Sequence, residues 1–349
     1  MKNSRWVRTP LAIVLVWRAF SCSAPPYNEE VTVKHDGTYD SEFPSKPASR
    51  ELQLISESIC TINCIGSYKV ILFDENEHLI RSNLNSRLQK NSPAPLFSDN
   101  SARGTATIIA NDGNKIAFLT CAHVVDFSDS VFAFHAGPDG RPTKYIRSLA
   151  VKMKQFNFVS PFPEDGTVEI VYVDTLADIA VLGKSVQTQL ARGIAPIRYR
   201  LGNARELNWG TFVYVFSYPA GIRMLTNAIV SSPRKDADGT FFIDASSNQG
   251  SSGGIVLAIR NGIPNFEVVG LVRVVPAKFS FYLAPGDSAT EEYDPYSAYK
   301  GNAFVQKRTD LESGVTKCIS AESVRKSIER HREQIVRRGY DCSEFLKQR

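Results

Sequence analysis

The stretch Gly250-Ser251-Ser252-Gly253-Gly254-Ile255-Val256-Leu257-Ala258-Ile259 decides the class of fold. Its second half is a short apolar run that follows directly on glycine, which is typical of a buried strand. Turn residues such as Asn111-Asp112-Gly113-Asn114 separate several similar runs. These runs are Tyr68–Phe73, Gly104–Ala110, Ile116–Thr120, Val131–Phe134, Val168–Val173, Ile179–Leu182, Thr211–Phe216, Thr240–Ile243 and Val268–Val275. Many short strands at such spacing predict an all-β barrel or sandwich.

Ser252 stands in a frame of glycines that suits a nucleophilic serine. Such a serine needs a tight turn that presents its hydroxyl, and backbone N–H groups that face a developing oxyanion. Glycines on both sides allow that backbone path and leave space for a substrate carbonyl. A flexible Gly/Ser-rich loop would have the same composition, so the frame alone assigns no function.

The same five residues also match Gly-x-Ser-x-Gly, the nucleophile elbow of α/β-hydrolases. In that fold the acid and then the histidine follow the serine, but the only histidine after Ser252 is His331, in a charged helical segment. The elbow also needs a strand directly before it, whereas residues 245–249 are polar. This context disfavours the elbow.

His123 and Asp178 lie upstream of Ser252, each at the end of an apolar strand. A strand end can hold a general base rigidly, and a carboxylate beside an apolar strand is expected to be partly buried and to need a donor such as a histidine N–H. Singly, a core histidine and a turn-capping aspartate would explain the two residues. Together with Ser252 they give the chain order of chymotrypsin, histidine then aspartate then serine.

Three segments resemble the trypsin-like fold, and specifically its bacterial HtrA-like (Do-like) branch. They are Thr120-Cys121-Ala122-His123-Val124-Val125, Asp178-Ile179-Ala180-Val181-Leu182, and Asp244-Ala245 with Gly250–Gly254. The resemblance extends to Gly104-Thr105-Ala106 and to Ser313–Ser320, which look like strands that open the first barrel and close the second. It implies two perpendicular six-stranded β-barrels with a C-terminal α-helix. The PDZ domain of many HtrA-like proteins is not expected, because the second barrel and the helix use most of the residues after Ser252.

The resemblance also implies an activity, that of a serine endopeptidase. Ser252 would attack the scissile carbonyl, His123 would transfer the proton, and Asp178 would orient His123 and stabilise its charged form. The backbone N–H groups of Gly250 and Ser252 would form the oxyanion hole. Family members usually have Asn where this chain has Ser251, and Pro where it has Ile255. Because these departures leave the geometry of the hole open, the alternative is a catalytically weak pseudo-protease that acts as a binding or regulatory module.

The family layout places Ser246 near the base of the substrate pocket, with Gly270 and Leu271 in the facing strand. Ser246 carries no charge that would select Arg or Lys, so a small or medium apolar P1 residue is expected. The expected partners are protein or peptide substrates, without a cofactor or a metal. No oligomeric state is predicted.

The N-terminus has the layout of a secretory signal. Lys2, Arg5 and Arg8 precede the apolar run Leu11–Trp17, and small residues follow up to Ala24. Cys22 lies in a sequence similar to a bacterial lipoprotein box, so either a cleaved signal or membrane attachment through a lipidated Cys22 is expected. The predicted location is the periplasm, the cell envelope or the exterior of a bacterium.

The rest of the chain divides into four predicted parts after the signal at residues 1–24. Residues 25–54, rich in Pro, Ser and charge, predict a flexible tether. Residues 55–190 and 191–320 would form the two barrels. Residues 321–349 hold a helix from about 321 to 338, with Ser320 as its N-cap, and a tail. The polar, Tyr-rich residues 276–316 indicate a long irregular loop.

Composition bears on partners and on cysteine chemistry. The net charge of +5 is spread along 349 residues, which gives little support to nucleic-acid binding. Six cysteines are present, and five remain if Cys22 is removed or lipidated, so a complete disulfide framework is not expected. Cys60 and Cys64 could form a metal pair, but no second pair has zinc-ligand spacing, which favours a structural role.

Overall fold

The computed structural model of the protein describes residues 36–41, 43–44, 46–90, 94–137, 141–162, 165–233, 240–273, 278–285, 303–310 and 314–347. The predicted signal, with Cys22, lies outside these residues. Within them, no helix is both long enough and apolar enough to span a membrane.

Strands dominate the described residues. The strands are β1 Ile59–Leu72, β2 Leu96–Asn111, β3 Lys115–Thr120, β4 Ser130–Ala136, β5 Pro142–Ser160, β6 Glu169–Asp174, β7 Ile179–Ser185, β8 Phe212–Ser217, β9 Met224–Ser232, β10 Thr240–Ile243, β11 Ile255–Ile259, β12 Phe266–Arg273, β13 Lys278–Pro285, β14 Ala303–Asp310 and β15 Thr316–Ser320. The α-helices are α1 Ser49–Ser56, α2 Leu84–Lys90, α3 Ala122–Val125, α4 Thr188–Ala191, α5 Ala321–Arg330, α6 Arg332–Arg337 and α7 Ser343–Leu346.

Two antiparallel sheets form the body. The first has the strand order β4-β5-β1-β2-β3-β7-β6, and the second is a closed barrel of β10-β15-β12-β11-β8-β9. The interior of the barrel is filled by apolar side chains from several strands, including Val213, Val230, Phe241 and Val256. β11 is buried along its whole length, since it pairs with β8 on one side and β12 on the other. The apolar run that follows the glycines is therefore a central strand.

The predicted all-β class and the second six-stranded barrel are confirmed. The first sheet differs in detail, because it has seven strands and its edge strands β4 and β6 do not pair with each other within the described residues. The added strand arises because the long β5 pairs with β1 on one edge and β4 on the other.

Two predicted irregular segments contain regular structure. Within 276–316, β13 and β14 pair as an antiparallel two-stranded sheet, so this part is not an irregular loop. Within the predicted tether, α1 begins at Ser49, and Tyr39 is only 5% exposed. The Tyr39 hydroxyl donates to Glu267 at 2.6 Å and accepts from the Asn203 N–H at 2.8 Å. The prediction of a flexible tether over 25–54 is therefore wrong for its described residues. Their composition is polar, but Tyr39 makes specific contacts with the barrel.

The predicted C-terminal helix is present but broken. Ser320 caps α5 by accepting from the Ser323 N–H, as its position predicts. His331 then departs from helical angles, and α6 begins at Arg332. The His331 ring stacks on Tyr172 with ring centres 4.6 Å apart, and its Nδ1 contacts the Ser327 carbonyl. The two contacts accompany the break and give His331 a packing role.

Helix α5 fastens the turn that leads from β6 to β7. Asp174, at the end of β6, is buried and accepts from the Ala177 N–H at 3.0 Å across the turn. Its other oxygen accepts from the Ser327 hydroxyl at 2.9 Å and from Arg330 at 3.3 Å. We call these four residues the Asp174 clasp. The clasp links the C-terminal helix to the turn that ends at Asp178.

Replacing Asp174 with alanine should lower the free energy of unfolding by about 2 kcal/mol or more, because the buried Ser327 hydroxyl and the half-buried Ala177 N–H lose a charged acceptor. Urea unfolding would measure this loss. The control is Glu333→Ala, which removes an exposed pair with Arg337 and should change the free energy by less than about 0.5 kcal/mol. Equal effects of the two substitutions would contradict the proposed role of the clasp.

Candidate active site

Ser252 is held in the loop before β11 by bonds to both sheets. Its carbonyl accepts from the Thr105 N–H at 2.7 Å, while the next N–H, of Gly253, donates to the Val272 carbonyl at 2.9 Å. Thr105 belongs to the first sheet and Val272 to the barrel. The nucleophile candidate therefore lies where the two sheets meet.

Glycine is required on both sides of Ser252. Gly250 has a φ of +101° and Gly253 a φ of +84°, in the left-handed region that side chains disfavour. A Cβ at Gly250 would lie 2.3 Å from the Tyr218 carbonyl oxygen, and one at Gly253 would lie 2.2 Å from that of Thr105. The glycine frame in the sequence thus reflects both backbone conformation and close approach.

His123 bridges Asp178 and Ser252. It lies in the single turn α3 directly after β3. Its Nε2 is 2.9 Å from the Ser252 Oγ, and its Nδ1 is 2.9 Å and 3.0 Å from the two carboxylate oxygens of Asp178. A carboxylate only accepts, so Nδ1 carries the proton and Nε2 accepts from the serine hydroxyl. The three residues singled out in the sequence therefore form one hydrogen-bonded chain.

Asp178 is almost fully enclosed, with only 4% of its side chain exposed. Its φ of +58° is left-handed, which Asp tolerates better than most residues, and this conformation ends the turn that the Asp174 clasp fastens. The carboxylate also accepts from the His123 backbone N–H at 2.9 Å and pairs with the Arg273 Nε at 2.9 Å. Backbone and side-chain donors thus surround the buried acid.

The donors around Asp178 outweigh its burial. Burial alone would raise the pKa of the Asp178 carboxyl, but the hydrogen bonds from His123 and the charges of His123 and Arg273 hold it below its usual value. Asp178 therefore stays ionised. The lowered pKa of Asp178 also links stability to pH. The ionised carboxyl stabilises the fold at pH values above its pKa in the unfolded chain, and this stabilisation is lost as the pH falls through its pKa in the folded protein.

The peptide between Gln249 and Gly250 has a fixed direction. The Gln249 carbonyl accepts from the Ala220 N–H at 2.9 Å. In a trans peptide the N–H points opposite to the carbonyl, so the Gly250 N–H faces away from Ala220. The Gly250 carbonyl in turn accepts from the Thr105 hydroxyl at 2.8 Å. Both carbonyls that flank the Gly250 N–H are therefore tied to the scaffold.

A cavity of about 210 Å³ lies beside this loop. Ser246, predicted at the pocket base, lines it together with Ser247 and Ser251. Gly270 and Leu271 were also predicted there, but they are not among the described residues that line it. Leu271 is fully buried in the larger hydrophobic core, and a Cβ at Gly270 would lie 2.4 Å from the Ile319 carbonyl oxygen. Val272, one residue further along β12, lines the cavity instead.

The two departures from the family pattern are accommodated. The Ser251 hydroxyl accepts from the Asn248 N–H at 3.3 Å, and its own N–H donates to the Asn248 carbonyl at 2.9 Å, which closes the turn before Ser252. Ile255 is buried in β11 between Phe216 and Leu271. Neither side chain displaces the loop.

Two residues of the site were not found from the sequence. The sequence places Thr105 only in a strand that opens the first barrel, and Arg273 only within the apolar run Val268–Val275. Both are brought to the site by pairing between distant strands, and neither has a local pattern that signals its role.

The remaining polar group beside the site is the buried thiol of Cys121. Its Sγ, a ring nitrogen of His123 and a carboxylate oxygen of Asp178 lie within 4.8 Å of one another. Burial, together with the nearby Asp178 charge, raises the pKa of the Cys121 thiol well above its usual value. His123 is bonded through both ring nitrogens, and Arg273 already neutralises Asp178. These atoms are committed to one another, so the cluster does not fit a metal site.

The described cysteines are all unpaired. Cys60, Cys64, Cys121, Cys318 and Cys342 are buried and free. This agrees with the odd count that argued against a disulfide framework.

Part of the chain matches a known protein family in sequence, and the fold was also compared with solved structures. Residues 104–271 match the family described as trypsin-like peptidase domain. Among solved structures, the serine endoprotease from Yersinia pestis is similar at 17% identity and a TM-score of 0.34, over 67% of this chain and 59% of that protein. The chain thus spans about three fifths of the length of that endoprotease. No curated protein matches.

The family match includes β2, β3, β7 and β11 and all three residues of the hydrogen-bonded chain. It agrees with the resemblance noted in the sequence and with the two-sheet architecture. Residues 104–271, which carry all three of these residues, are thus similar to the trypsin-like peptidase domain.

Proposed function

We propose that the protein is an active serine endopeptidase of the HtrA-like branch that cleaves proteins or peptides. The observation that carries the proposal is the hydrogen-bonded chain from Ser252 through His123 to the buried Asp178, with each link at 2.9 Å. Removal of a proton from a serine hydroxyl requires a base within such a distance. The branch rests on the sequence segments around His123, Asp178 and Ser252. The predicted export signal would place the substrates outside the cytoplasm.

The mechanism follows from the direction of each bond. The Ser252 hydroxyl donates to the His123 Nε2, so this nitrogen takes the proton as the Oγ attacks the scissile carbonyl. The imidazolium then faces an ionised carboxylate, Asp178, which stabilises its charge and fixes its tautomer. The same Nε2 proton passes to the leaving amine, and an acyl-enzyme on Ser252 remains for water to hydrolyse.

The oxyanion would be stabilised by backbone donors of the nucleophile loop. We propose the N–H groups of Gly250 and Ser252 for this role. Two features support it, namely the Gly250 N–H that faces away from Ala220 and the two fixed carbonyls on either side of it. Loss of one such donor typically lowers turnover by ~10²–10³.

A fluorophosphonate probe tests the proposal directly. The wild-type protein should be labelled and should cleave casein, whereas Ser252→Ala and His123→Ala should lose both activities, by roughly 10⁴-fold or more. Asp178→Asn should lower the labelling rate by about 10⁴-fold, because it leaves His123 in the wrong tautomer.

Ser251→Ala is the matched control for Ser252→Ala. It removes the neighbouring hydroxyl, which accepts a long bond from Asn248 and lies outside the hydrogen-bonded chain, and should keep the labelling rate within about tenfold. Absence of wild-type labelling from mildly acidic to mildly basic pH would instead favour the pseudo-protease, a binding module with the same fold.

We further propose that the cavity beside the loop receives the P1 side chain. The described part of its lining combines hydroxyl groups, as in Ser246 and Thr226, with apolar groups, as in Met224 and Val272. Such a lining offers no counter-charge to Lys or Arg, which favours a small or medium apolar P1 residue.

Cleavage-site profiling of a peptide library would test this specificity. The wild type should cut after small or medium apolar residues, and Ser246→Asp should gain cleavage after Arg and Lys, because it adds a carboxylate to the lining. Ser246→Asn, similar in shape but neutral, is the control and should not gain it. A wild-type profile dominated by Arg or Lys at P1 would refute the assignment.

A further inference from the structure

Arg273 provides a cation to the acid of the site, at the last position of β12. Its Nε lies 2.9 Å from the Asp178 Oδ2, the oxygen that is also 2.9 Å from the His123 Nδ1. The Arg273 side chain is 40% exposed, whereas that of Asp178 is 4% exposed. The guanidinium therefore lies between the solvent and a carboxylate that is otherwise enclosed.

The position of Arg273 is set by the barrel rather than by the site. Leu271 pairs with Ile255 of β11, and Arg273 itself pairs with Lys317 of β15. The Val272 carbonyl binds the Gly253 N–H next to the nucleophile. The end of β12 is thus fixed beside Ser252, and the side chain at position 273 must project near Asp178.

Arg273 and His123 therefore both interact with the single negative charge of the Asp178 carboxylate. The groups that face its carboxylate are His123 from α3, Arg273 from β12 and the neutral Cys121 thiol from the end of β3. Arginine stays protonated at any working pH, so Arg273 neutralises part of the carboxylate before His123 gains a proton. Since the guanidinium and the His123 Nδ1 bind the same oxygen, they are at most about 6 Å apart, and an imidazolium would meet a like charge.

We propose that Arg273 is a positioning residue that opposes protonation of the His123–Asp178 couple in mildly acidic conditions. Such protonation would block activity, because the couple could no longer accept the Ser252 proton. This inference rests on the proposed peptidase function. The couple accepts the Ser252 proton only while the His123 Nε2 is unprotonated, so a cation that opposes early protonation extends activity toward acid. Arg273 touches neither the serine nor the substrate carbonyl in this role; it acts through Asp178.

The test is the pH dependence of fluorophosphonate labelling, from about pH 5 to about pH 9, on full-length protein. In Arg273→Gln the midpoint of the acid limb should move up by about half a pH unit or more, after allowance for screening of a half-exposed cation. At the acid end this is a roughly threefold or greater loss relative to the plateau. Arg273→Lys, which keeps the charge, should keep the wild-type midpoint.

Two further variants complete the design. Arg273→Ser removes the charge but leaves a donor, and should move the midpoint as Arg273→Gln does; it also serves if the glutamine variant folds poorly. Arg337→Gln makes the same charge change on an exposed residue of α6 and should not move it.

An unmoved midpoint in both neutral variants, at whatever plateau height, would overturn the inference and leave Arg273 a structural role. A lysine variant that moves as far as the glutamine variant would overturn it too, since charge would not be the cause. Both results require wild-type labelling. A wild type that is never labelled would overturn the peptidase function itself, and this inference with it.

Discussion

The backbone and hydroxyl of Thr105 join the two sheets at the nucleophile, and the geometry of the site depends on this junction. The Thr105 N–H binds the Ser252 carbonyl, its hydroxyl donates to the Gly250 carbonyl, and the same hydroxyl accepts from the Tyr218 N–H. Thr105 is fully buried, so water does not compete for these bonds. One residue of the first sheet thus sets the path of a loop that belongs to the second.

The acid of the site is held from the opposite direction. Asp178 is buried and left-handed, and both conditions cost free energy that its donors must offset. His123 supplies two donors, Arg273 supplies a cation, and the Asp174 clasp fixes the turn from behind. His123 lies between these two supports, so the distances from its ring nitrogens depend on how the sheets dock and not on α3 alone.

Sequence reasoning found the residues whose neighbours are informative. Ser252 has glycines on both sides that suit a tight turn, and His123 and Asp178 stand next to apolar strands that are central in the sheets. Order along the chain then linked them. By contrast, β5 was missed, because its exposed face carries charges such as Lys144, Arg147 and Lys154 that interrupt the apolar pattern of a strand.

Long-range pairing explains the other errors. Tyr39 and Arg273 contact residues more than ninety positions away in the sequence, and the local sequence around either residue does not indicate its partner. Gly270 and Leu271 were placed by analogy with a family layout. Leu271 is one residue from Val272, so its side chain lies on the opposite face of β12 from the cavity. The break at His331 coincides with a ring stacked on Tyr172, a contact between distant segments.

The Asp174 clasp has a consequence for the timing of synthesis. A chain leaves the ribosome from its N-terminus, so Ser327 and Arg330 emerge after all three residues of the hydrogen-bonded chain have been made. Until they dock, the turn that ends at Asp178 lacks its outer support. The buried acid therefore gains its support from α5 only after the residues of the hydrogen-bonded chain have all been synthesised.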